Sequence, residues 1–186
     1  ANAKVDRSLA KEKKVSPNDV RKFPWPDEIN AKWIWTKERV SKISLRKEIV
    51  LTEKPGITGI LATCDNAFSI MINGERVASS SDWMSPLKLV RSDLFKTGKN
   101  LIEVEAEMFG GSQGFVAQII LKTKNDLTLI ETGTDWEAQV PDKQWSPAHI
   151  EKEYGKAPWY KILHSSDYQY VHTGIEPPVR ASLVAN

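Results

Sequence analysis

Seven tryptophans stand in this chain of 186 residues, and their side chains are the first whose chemistry asks for a use. An indole face offers flat apolar area that stacks on a pyranose ring, while neighbouring polar groups fix the ring's hydroxyls. Trp83 is the best ligand candidate, because it ends a Ser-rich loop beside Asp82. The competing reading folds its ring back onto a sheet. Trp145 lies in a proline-flanked loop, and Trp33 and Trp35 share a predicted strand.

Hydrolytic chemistry is poorly supported. A glycosidase needs two carboxylates at a set separation across the scissile bond, yet the acids here have positional explanations. Glu103, Glu105 and Glu107 alternate outward on one strand, and Asp65, Asp93 and Asp126 lie at turns. His149, His164 and His172 all fall late, and neither a Gly-x-Ser-x-Gly elbow nor a His-Glu-x-x-His pair is present. Asp65-Asn66 and Asn125-Asp126 carry oxygens that suit calcium, and turn capping explains them equally well. The metal content stays open, and no cofactor is expected.

These residues need a scaffold, and the pattern of strands supplies one. In TCDNAFSIMINGERV, Phe68, Ile70 and Ile72 face one way and Ala67, Ser69 and Met71 the other, before an Asn73-Gly74 turn and a return strand with Val77. Asn-Gly between alternating runs is a hairpin signal, since its turn needs positive φ at both central residues. In LIEVEAEMF, Ile102, Val104, Ala106 and Met108 are predicted to face inward. Phe115, Ala117, Ile119 and Leu121 do the same in FVAQIILKT, as do Ile43, Leu45, Ile49 and Leu51 in KISLRKEIVL, where Lys47 breaks the face. Trp33 and Trp35 have strand spacing and are expected to point to one side. Ser16-Pro17 opens a possible short helix, and HIEKEYG at 149–155 has a helical look. Strands recurring with turn signals predict an all-β jelly-roll sandwich of eight or nine strands.

Composition bounds the rest. Hydrophobic residues are 40%, charged residues 27% and the net charge is +2, ordinary for a globular chain and without the concentrated basic face of a nucleic-acid binder. The single Cys64 excludes an internal disulfide and reads as a buried, inert thiol. No apolar run approaches the ~20 residues of a membrane helix. The chain starts at Ala1 without a methionine and reads as a piece of a longer polypeptide.

The order of these segments resembles the galactose-binding-like jelly roll, above all the non-catalytic β-sandwich domains of bacterial α-L-rhamnosidases. The carrying pieces are AKWIW, LRKEIVL, the strand ending in Asp65 that runs into FSIMINGERV, and Trp83 before the next strand. DLFKTGKNLIEVEA, GFVAQIILK, IETGTDWEAQ and GKAPW at 155–159 continue it. Trp33, Trp35, Trp136 and Trp159 sit in or beside these segments, which favours packing over ligand contact. The tail, YVHTGIEPPVRASLVAN, resembles linkers of large planctomycete proteins with cytochrome c-like domains, which would make the parent protein an exported one. The resemblance implies a polar extension over residues 1–29, a sandwich over 30–160 and a C-terminal tail over 161–186. It also implies a non-catalytic accessory domain that binds carbohydrate, or else a structural module that orients neighbouring domains. Loop clustering in such a sandwich would group Asp82 and Trp83 with the rim residues Asn66 and Gln113.

Overall fold

A computed structural model describes residues 17–165 and 169–170. A short helix α1 (Pro17–Lys22) precedes the strands β1 (Lys32–Trp35), β2 (Lys42–Leu51), β3 (Ile57–Asp65), β4 (Ala67–Ile72), β5 (Glu75–Ser80) and β6 (Leu87–Arg91). Then come β7 (Gly98–Glu107), β8 (Gly114–Lys122), β9 (Leu127–Glu131), β10 (Glu137–Gln139), β11 (Ser146–Pro147), β12 (His149–Glu153) and β13 (Gln169–Tyr170), with one 3₁₀ turn at Ile162–His164. The strands anticipated from the sequence correspond to β1 to β9. The four further ones are short closing strands whose two to five residues carry too little alternation to read. HIEKEYG is a correction: its apparent helical spacing gives way to antiparallel pairing of β12 with β1.

Two sheets face each other. One runs β12-β1-β8-β3-β6-β13 with β9 also on β8, and the other runs β11-β10-β2-β7-β4-β5. Every pairing is antiparallel except β13 on β6. The Asn73-Gly74 hairpin forms with φ of 52° and 81° at its two central residues. Its inward side chains Phe68, Ile70 and Ile72 join Ile102, Val104, Phe115, Ala117 and Ile119 in the inter-sheet core. Lys47 resolves its awkward position by carrying its ammonium to the exposed Asp135, donating to both its carbonyl and its carboxylate.

The two sheets differ on their outer faces. Along β8 only Lys122 is exposed, because a second layer covers the seven-stranded sheet. Val20 and Phe23 pack on Val90 and Ile120, while Ala31, Trp33, Leu61, Val116, Trp159 and Leu163 form a separate cluster. Trp33 and Trp35 therefore do not share a side. The register slips between Trp33 and Ile34, which breaks the alternation and leaves Trp33 in the outer layer and Trp35 in the core.

His164 ties that layer together. Its Nε2 lies 2.9 Å from the Asp27 carbonyl, which can only accept, so this nitrogen carries the proton. Its Nδ1 then accepts from the Tyr154 hydroxyl at 2.8 Å. Burial pushes the Tyr154 phenol up to about 12.

Candidate functional site

The antiparallel pairings send a set of junctions to one end of the sandwich. Asp65 pairs with Gly114, Ala67 with Glu107, Phe68 with Ser80 and Lys42 with Glu107. The β1–β2 loop, the β3–β4 junction, the β5–β6 loop and the β7–β8 loop consequently meet at one rim. Asn66, Asp82, Trp83 and Gln113 all lie on these connections.

The rim puts them to different uses. Asn66 binds the β7–β8 loop, accepting from the Phe109 amide at 2.7 Å while its own N–H donates to the Glu107 carbonyl. Asp82 shapes its loop, its Oδ1 accepting from the Met84 amide at 3.1 Å. Trp83 is half-buried against the outer-layer cluster, and its carbonyl accepts from the Thr63 hydroxyl at 3.0 Å. The ring is folded back on the sheet. Gln113 borders a depression of about 210 Å³, which it shares with Arg39, Ser112, Glu151, Lys152 and Trp159.

Gln113 is only 8% exposed. Its Nε2 donates to Glu151 Oε1 at 2.9 Å, and its carbonyl oxygen has no partner among the described residues. That oxygen is itself closed off from solvent. Glu151 reaches Gln113 through the irregular pairing of β12: Trp33 faces Lys152 and Ile34 faces Ile150, which leaves Glu151 as the extra residue of a bulge. Bulges re-aim side chains in this way.

Trp159 walls the depression. Its indole N–H donates to Asp65 Oδ2 at 2.9 Å, and its ring stacks on Trp33 at a centroid distance of 4.0 Å. Burial raises the Asp65 carboxyl above its ordinary value, and the Trp159 hydrogen bond offsets part of that rise. Arg39 crosses from the β1–β2 loop to donate to the Gly111 carbonyl. Phe109 stands 66% exposed on the loop that carries Gln113, a flat apolar surface next to polar groups. The calcium candidates have other duties: Asp65 and Asn66 hold Trp159 and Phe109, and Asp126 Oδ1 accepts from the Leu127 amide.

Of these rim residues, sequence reasoning named Gln113 and did not name Arg39, Phe109 or Glu151. Arg39 and Phe109 carried a weak signal, a cation and an aromatic in predicted loops. Glu151 carried none, because its placement depends on the bulge.

No protein-family model matches the chain, and no curated protein sequence is significantly similar to it. Solved structures do match. An α-L-rhamnosidase of Streptomyces avermitilis, solved with L-rhamnose, superposes with a TM-score of 0.65 at 20% identity, covering 71% of this chain and 15% of that one. A lectin of Pleurotus ostreatus, solved with GalNAc, superposes with a TM-score of 0.63 at 24% identity, covering 72% and 45%. The family 78 rhamnosidase of Bacillus sp. GL1 gives 0.58 at 18%, covering 72% and 19%. The fold is a jelly-roll β-sandwich, as these likenesses and the two facing sheets show. The chain spans less than half the length of each of these proteins, and at such identities the likeness is one of fold.

Proposed function

We propose that this chain is a non-catalytic accessory domain of a larger protein and binds carbohydrate through its rim loops. The observation that supports this reading is the rim depression, where Arg39, Ser112, Gln113 and Glu151 lie beside the buried ring of Trp159 and the adjoining loop presents Phe109, 66% exposed. Polar groups of this kind suit sugar hydroxyls, and exposed aromatic area suits a ring face. The depression is smaller than the ~300–1,000 Å³ of drug-sized ligand pockets, which favours one sugar unit over a long chain segment. That two neighbours of the fold were solved with bound sugars is consistent with this use.

Glycan-array binding followed by calorimetry tests the reading. Gln113→Ala and Phe109→Ala should each weaken binding about tenfold, equivalent to ~1.4 kcal/mol. Trp83→Ala should lower the melting temperature and leave binding intact. If the intact chain binds no glycan at millimolar concentration, the reading is wrong.

A second reading, a module that orients neighbouring domains without a small ligand, draws on the outer layer. The described parts of both flanking segments lie on the seven-stranded sheet, with Phe23 and Leu163 buried there. Segments pinned in this way would pass a fixed orientation to whatever they connect.

A further inference from the structure

The six-stranded sheet carries no apolar layer on its outer face among the described residues, and its registers fix which side chains stand together there. Ser44 of β2, Glu105 of β7, Ser69 of β4 and Ser79 of β5 form one row across the strands, with neighbours roughly 5 Å apart. The Ser44 hydroxyl donates to the Glu105 carboxylate at 2.9 Å. In the next row Lys42 meets Glu107 at 3.4 Å, and Ala67 stands beside Glu107 on β4. Ala67 and Ser69 are short, so a trench of about 470 Å³ lies over β4. Glu105 and Glu107 wall it on the β7 side, Arg76 and Ser79 on the β5 side.

Ser69 is the floor of this trench and is 7% exposed. Its hydroxyl has no hydrogen-bond partner among the described residues, and unlike the Gln113 oxygen it is not closed off from solvent. It therefore offers both a donor and acceptors to whatever enters. Arg76 adds donors and has no ion-pair partner among the described residues, while the two carboxylates keep acceptor sites beyond those already used. Lys42 and Arg76 balance Glu105 and Glu107, so the lining is neutral overall. A free anion would face both carboxylates, and no group of three metal-binding side chains exists among the described residues. A sugar hydroxyl donates and accepts at once, which matches this mixture. We infer that the trench is a second saccharide site and takes a neutral oligosaccharide, its hydroxyls shared among Glu105, Glu107, Ser69 and Arg76. It has no lining residue in common with the rim depression, so it stands independently of the rim. Its volume falls within the ~300–1,000 Å³ of ligand pockets.

The intact chain would be titrated calorimetrically with neutral β-1,4-linked tetrasaccharides of glucose, xylose, mannose and galactose, and with a galacturonic acid tetrasaccharide. At least one neutral probe should bind with a Kd at or below about 1 mM, and more tightly than the acidic one. Ser69→Val removes the hydroxyl and keeps a good strand former, and Glu105→Gln removes a charged acceptor; each should weaken that probe about tenfold. Phe109→Ala, at the rim, should leave this binding unchanged. Thermal unfolding of each variant guards against misfolding, and Glu105 is exposed, so its variant carries the test should Ser69→Val unfold early. Binding that Phe109→Ala removes and both trench variants leave intact places the sugar at the rim and overturns the trench site alone. Loss in the trench variants with none in Phe109→Ala supports the trench and counts against the rim. Binding of no probe at millimolar concentration overturns the trench site, as does an acidic probe that binds as tightly as the best neutral one.

Discussion

The Trp159 indole N–H and the Asp65 carboxylate meet at 2.9 Å in a buried setting, joining the turn that precedes the 3₁₀ element to the end of β3. The contact positions one wall of the rim depression. It also holds a carboxylate where burial disfavours its charge, so Asp65 titrates above its ordinary 3.8.

That shift has a sign. A carboxyl whose folded-state value is raised binds its proton more tightly when folded, so its contribution to stability falls as pH rises through that window and is recovered toward 3.8. Asp65→Asn keeps an acceptor for Trp159 and removes the charge. Denaturant unfolding should therefore favour the variant over the parent more at pH 7 than at pH 4. A difference that stays constant between those pH values would contradict this account.

Gly59 and Phe23 should behave as a coupled pair. A Cβ on Gly59 would lie 2.4 Å from Phe23 Cε1 and 2.9 Å from Trp25 Cζ3, so the bare backbone there makes room for the N-terminal segment. Gly59→Ala should cost about 1–3 kcal/mol through overpacking, and Phe23→Ala about 3 kcal/mol through the cavity it leaves. The double variant should cost clearly less than the sum, because the second change relieves the clash of the first. Strict additivity in urea melts would show that the segment is not packed there.

Asn100 should matter more than Asn73 at the opposite end of the sandwich. Asn100 is 1% exposed; its amide donates to the Lys96 and Gly98 carbonyls, and its oxygen accepts from the Lys96 amide and from Asn73 Nδ2. Asn73 accepts from the Leu101 amide and holds φ at 52°. Replacing Asn100 by Ala strands several buried partners and should cost about 3 kcal/mol, against about 1 kcal/mol for Asn73→Ala. Chemical denaturation of both variants gives the comparison, and an equal cost would refute the ranking.

Cys64 should be chemically silent. It is fully buried, and burial, followed by the nearby Asp65 charge, pushes its thiol far above the ordinary range, while a hydrogen bond from the Glu107 backbone works the other way. Since the thiolate is the reactive form, iodoacetamide at pH 8 should label it only as fast as the chain unfolds. Rapid labelling in native buffer would sink this.

Much of the sandwich is legible because its signals are local. The alternation of Ile102, Val104 and Ala106 against Glu103 and Glu105 specifies a strand with one wet face, and the structure has it so. β8 held a further clue. Val116 and Ile120 are apolar on what would be the outer face, which announces a covering layer without saying what covers it. The outer layer itself was not readable, since Phe23 and Trp25 sit among charged residues and prolines that resemble a linker. Trp83 was legible as a tryptophan beside Asp82, but its half-burial against the outer-layer cluster was not, because that cluster is built from segments distant in sequence.

By itself the sequence determined the strands, their faces and the Asn73-Gly74 turn, because side-chain alternation and backbone φ are set by neighbours along the chain. Which residues meet at the rim was decided by tertiary structure alone. Arg39, Gln113 and the stretch from Glu151 to Trp159 come from three segments distant in sequence, and a bulge at Glu151 and sheet closure bring them together. No spacing in the chain encodes that meeting, since it arises from hydrogen bonds and packing between strands far apart in sequence.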